Sequence, residues 1–137
     1  MPVAVWWICA IGAPVLAWFV AKAGYGIAIA SPWPDLAVLA VTSVLEEVVF
    51  RGGLQPLLRR WQPLAATQPV SGANLLTSVA FAALHLWHHP ALAALGVLPV
   101  SLLLGWIYER SGERLLPPVL LHLYFNAALV LSSYAAG

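Results

Sequence analysis

Charge is what this sequence lacks most. Its 137 residues carry six basic and five acidic side chains, 8% of the chain, against 62% hydrophobic residues. A soluble domain carries roughly 25% charged residues, so the composition argues against an ordinary soluble fold. There is no basic run, and a net charge of +1 offers no nucleic-acid surface. Cys9 is the only cysteine, which excludes a disulfide framework and a cysteine-built metal site. No Lys or Arg precedes Lys22, so the N-terminal apolar run lacks the basic start of a secretory signal and reads as a retained membrane helix. Repeats and low-complexity tails are also absent, and residues 1–137 read as a single domain.

What is present is apolar helix, with a mean hydropathy of +0.89. The expected fold is all-α, a polytopic transmembrane bundle of about five membrane helices. The predicted spans are Val3–Ala21, Pro34–Arg60, Ala73–His88, Pro90–Tyr108 and Pro117–Ser133. The first is long enough to cross a hydrocarbon core of about 30 Å. Gln62–Asn74 reads as loop and Glu109–Arg114 as a charged turn. With five spans, Arg59, Arg60, Arg110 and Arg114 fall on one side, with the N-terminus, and Lys22 on the other. The positive-inside rule then makes the N-terminus cytoplasmic. Trp18, Tyr25, Trp33 and Trp87 would form one interfacial belt, and Trp6, Trp61, Trp106 and Tyr108 the other.

Ionisable side chains inside such helices are expensive and mark function. The sharpest instance is Glu46-Glu47-Val48-Val49-Phe50-Arg51, set in an otherwise apolar run. Glu47 and Arg51 are four apart and share a helix face, so they can pair. Glu46 lies about 100° round the helix. One glutamate therefore reads as structural and the other as available for chemistry. His85 follows in the third span, with Phe81 four residues before it on the same face. His122 and Asn126, again four apart, share a face of the fifth. His88 and His89 sit at the third span's end and read as solvated end residues.

These groups suit hydrolysis. A carboxylate withdrawn from bulk water becomes a better base toward a water molecule. An imidazole beside it can hold that water, and a second histidine with an amide can donate to a developing oxyanion. No serine or cysteine lies in a recognisable nucleophile motif, so activated water is the economical nucleophile.

Glu-Glu-x-x-x-Arg, then Phe-x-x-x-His, then His-x-x-x-Asn, in that order on apolar helices, resembles the CPBP family of CAAX-protease-like and bacteriocin-processing intramembrane proteases, also called Abi or Rce1-like. The resemblance covers about Leu36 to Val130. It implies that Glu46 and His85 activate water, that His122 and Asn126 form the oxyanion pair, and that Glu47, Arg51 and Phe81 support the site. It implies a glutamic-type mechanism without a cofactor. The alternative is a divalent metal such as zinc, held by Glu46, His85 and His122 or by His85, His88 and His89. The implied partners are a membrane-associated protein or peptide substrate and the lipid bilayer, in a bacterial inner membrane. C-terminal sorting signals and lipid-anchored proteins are the implied substrate types. Typical members have further helices before the first motif, where this chain shows one.

Bland readings stand beside these. Glu46 could pair with a charge on another helix, and His122 with Asn126 could be interhelical glue. A non-catalytic immunity or scaffolding protein could bind a peptide partner with the same pocket. A small proton-linked transporter could use Glu and His as a relay, against which stands the lack of an internal repeat. By the predicted boundaries Glu46 lies near mid-membrane, His85 near one end and His122 near the other. The three meet only if the third span tilts or ends deeper.

Overall fold

A computed structural model describes residues 11–12, 32–61, 70–87 and 89–136. All regular structure among them is helical. Ile11 and Gly12 are helical; the rest of the expected span Val3–Ala21 lies outside the described residues. There follow α1 (Pro32–Glu47), a π-helical segment (Val48–Leu54), α2 (Gln55–Trp61), α3 (Gly72–His85), α4 (Ala91–Arg110) and α5 (Leu116–Ala136). Among the described residues, α4 and most of α5 are long and apolar enough to cross a membrane, while α3 is apolar but shorter. Two of the five expected spans thus stand on length and composition. Leu45, Val48 and Val49, at the end of α1 and in the π segment, are exposed apolar side chains.

Three boundaries differ from expectation. The span Pro34–Arg60 is not one α-helix, because the π segment interrupts it. Glu47, Arg51 and Gln55 are all fully buried. In an α-helix of 3.6 residues per turn, each step of four drifts about 40°. Wider i→i+5 turns counter that drift and keep all three polar groups on the buried side. The exit shows the widened pattern, with the Gln55 amide bonded to the Phe50 carbonyl. Gly52-Gly53, poor α-helix formers, lie within the segment. Second, α3 ends at His85 rather than His88, with Leu86 and Trp87 in a turn. Third, α3 begins within the expected loop: Ser71 caps it, accepting from the Asn74 amide at 3.0 Å.

The described residues form two compact units. One comprises 45–119, and its side-chain contacts fix its topology. Arg51 reaches Ser101, Gln55 reaches Gly105 and Glu109, and Arg59 pairs with Glu113. Both sequence positions rise together, so this helix runs parallel to α4. Ser71 bonds Glu109 and Asn74 bonds Leu102, so α3 runs antiparallel to both. The core holds Phe50, Phe81, Leu104 and Ile107. Helix α4 stops in a Schellman turn: Gly112 has φ 75°, the Glu113 amide reaches the Tyr108 carbonyl and the Gly112 amide that of Glu109. The expected charged turn is thus a helix cap, tied back by the Arg59–Glu113 ion pair.

The other unit joins residues 32–44 with 120–136. Here the Asn126 amide donates to Ser43 Oγ at 2.7 Å, and Ser43 donates in turn to the Leu39 carbonyl. Leu121, Val130 and Ser133 are buried.

Candidate functional site

Adjacent glutamates meet different surroundings. Glu47 is fully buried, with Oε2 3.4 Å from Arg51 Nε, whereas Glu46 is half-buried. The i, i+4 pairing expected from spacing is present. Arg51 is also fully buried, and its Nη2 donates to both the carbonyl and the hydroxyl of Ser101 at 2.8 Å. Two charges in a low-dielectric interior are tolerable only when paired and hydrogen-bonded, and α4 supplies the hydrogen bonds made by Nη2.

The guanidinium also lies 5.1 Å from the Phe81 ring centroid, and Phe50 meets Phe81 edge-to-face at 4.9 Å. These contacts set the register of α3. Because α3 runs antiparallel to the π segment, one turn beyond Phe81 comes to the height of Glu46 and Glu47. That residue is His85. Helix α3 ends at this residue rather than a turn later, so His85 lies at the C-terminal end of the helix.

His85 is held by its own helix. Its Nδ1 lies 2.8 Å from the Phe81 carbonyl, and the two rings sit 4.6 Å apart. A carbonyl can only accept, so Nδ1 carries the hydrogen. In the neutral ring Nε2 is then the lone-pair nitrogen. His89 stacks on His85 at 5.9 Å and is exposed. His88 lies outside the described residues. Among the described residues no three of His, Cys, Asp and Glu gather as a metal site.

His122 is buried and Asn126 half-buried on α5, in the other unit. One amide hydrogen of Asn126 is engaged by Ser43 and the second remains for another acceptor.

Several supporting residues were missed from sequence. Ser43 holds Asn126, and Ser101 holds Arg51. Gln55, Ser71, Asn74 and Glu109 form a polar cluster around Gly105. A readable signal existed: 51, 55 and 59, in steps of four, meet 101, 105 with 109, and 113, also in steps of four.

A family model described as Rce1-like, type II CAAX prenyl endopeptidase Rce1-like, matches residues 28–128, well over half the chain. No curated protein and no solved structure matches.

Proposed function

The chain belongs to the type II CAAX prenyl endopeptidase Rce1-like family, a family of membrane-integral proteases, and on that premise we propose that it is an intramembrane endopeptidase acting on a membrane-associated protein or peptide. Glu46 is the general base. Its carboxylate takes a proton from a water that His85 Nε2 holds by accepting the other hydrogen. The resulting hydroxide adds to the scissile carbonyl carbon. His122 and the second Asn126 amide hydrogen donate to the oxyanion. Collapse of the tetrahedral intermediate breaks the C–N bond, and Glu46 passes its proton to the leaving amine. No cofactor is needed in this scheme.

The observation that carries the reading is the division of labour between Glu46 and Glu47. Full burial and the contact with Arg51 support a structural role for Glu47, and the antiparallel course of α3 past Phe50 and Arg51 supports pairing the half-buried Glu46 with His85. The roles of His122 and Asn126 rest on motif order within the family. The Arg59–Glu113 pair gathers Arg59, Arg60, Arg110 and Arg114 at one end of the 45–119 unit, which supports placing that end in the cytoplasm. Sorting-signal and lipid-anchored proteins are the substrate types to try.

The test is co-expression with candidate membrane-anchored substrates, comparing wild type with Glu46→Gln by substrate mass. A shortened product with wild type alone is expected. Full cleavage by an inserted, folded Glu46→Gln protein would sink the mechanism. An uncut substrate that co-purifies equally with both proteins would indicate a binding protein instead.

A further inference from the structure

We propose that a groove between the π segment, α2 and α3 holds one acyl chain of an anionic phospholipid, with Arg60 against its phosphate. The groove is open along its length and has a volume of about 970 Å³. Val49, Gly53, Leu57 and Arg60 line one side, and Ala80 and Ala83 the other. Apart from Arg60 its lining is apolar. Its depth comes from missing side chains: a Cβ on Gly53 would meet only the Val48 carbonyl, at 3.9 Å.

Length selects the occupant. From Val49 to Arg60 the groove follows the helix for at most about 16 Å, at roughly 1.5 Å per residue in α2 and less in the wider π segment. That is about half of a ~30 Å hydrocarbon core. A membrane-spanning peptide needs the whole core, whereas an acyl chain of one leaflet needs half. Trp61, 80% exposed beside Arg60, suits the interface at which that leaflet ends.

Charge selects the headgroup. Arg59 is occupied by Glu113. Arg60 is exposed and makes no ion pair among the described residues. It therefore stands at the mouth of an apolar groove with its charge unused, as an anionic headgroup requires. One arginine near the surface corresponds to about a five-fold preference for anionic over zwitterionic lipid.

The experiment uses the full chain, purified in detergent, delipidated and incubated with phosphatidylglycerol or phosphatidylcholine of the same acyl chains. Retained lipid is read by native mass spectrometry. Wild type should keep one phosphatidylglycerol, at about five-fold preference. Arg60→Gln, at an exposed position, should fold normally and lose the preference. Gly53→Leu should fill the groove and lose retention of both lipids. Thermal melting checks the fold, and Ala83→Leu, from the opposite wall, replaces Gly53→Leu if that variant melts early. The proposal is overturned by equal retention of the two lipids, by an Arg60→Gln protein that keeps the preference, or by a folded groove-filled variant that binds like wild type. It is also overturned if a photo-reactive residue at position 57 captures a membrane peptide rather than lipid.

Discussion

Arg51 turns one nitrogen, Nη2, onto both oxygens of Ser101, each at 2.8 Å, while its Nε faces Glu47. The fourth helix of the predicted order thus supports an ion pair that begins beside the candidate catalytic glutamate. Removing one partner of a buried pair leaves the other charge uncompensated, at a cost of about 3–5 kcal/mol. Arg51→Ala and Glu47→Ala should each destabilise by that order in a detergent melt. The double variant, with neither charge left, should cost less than the two single losses combined. Ser101→Ala removes one charge-assisted bond and should cost about 1.5–3 kcal/mol. Additive losses in the double variant would show that the pair does not act as a unit.

Neighbouring glutamates should separate stability from activity. Glu46→Gln removes a half-buried carboxylate whose charge acts on Arg51 but leaves the Glu47–Arg51 contact in place, and its stability change should be smaller than the about 3–5 kcal/mol expected for loss of Glu47. Cleavage should nevertheless be abolished. Glu47→Gln should lower the melting temperature first, with activity falling as the folded fraction falls. Residual activity scaled to folded protein then distinguishes the two positions. Equal loss per folded molecule would assign both carboxylates to the chemistry.

Helical identity, apolar character and the pairing of Glu47 with Arg51 were legible, because each depends on composition or on a spacing of four. The π segment was not. Its cause is the shared burial of Glu47, Arg51 and Gln55, which only the packed partners on α3 and α4 impose. Gly52-Gly53 offered a hint that a propensity argument could have taken up. The end of α3 was misplaced because Leu86 and Trp87 continue the apolar pattern while the backbone has already turned. Ser43 as the partner of Asn126 was out of reach, since nothing local links positions so distant in sequence.

At Gly105 the side chain of Asn74 on α3 lies directly against the backbone of α4. A Cβ there would overlap the Asn74 side chain, 2.6 Å from its Cγ, and would press on Gln55 Oε1 at 3.0 Å. Gly105→Ala should therefore destabilise by about 1–3 kcal/mol, as overpacking does, and Asn74→Ala in the same protein should recover part of the loss. Gly96 on the same helix has nothing within 4 Å of an added Cβ. Gly96→Ala should be neutral or stabilising by up to about 1 kcal/mol through helix propensity. Opposite signs for two identical substitutions on α4, read by thermal melting, would tie the effect to close approach rather than to backbone entropy.

The Phe81 carbonyl should decide which nitrogen of His85 does the work. It accepts from Nδ1 at 2.8 Å, so the neutral ring should carry its proton on Nδ1 and leave Nε2 bare. Nitrogen-15 NMR of histidine-labelled protein reads this tautomer directly. Substitution gives the functional counterpart. In His85→Asn an amide takes the place of Nδ1 and can keep the bond to Phe81, so the fold should hold. The group at the Nε2 position is gone, and cleavage should fall by the roughly 10²–10⁴-fold typical of a lost acid–base group. His85→Ala should lose a similar amount of activity and some stability as well. If the labelled ring proves protonated on Nε2, or if His85→Asn cleaves at the wild-type rate, then His85 serves α3 rather than the attacking water. Glu46 would then need another partner from the helices around it.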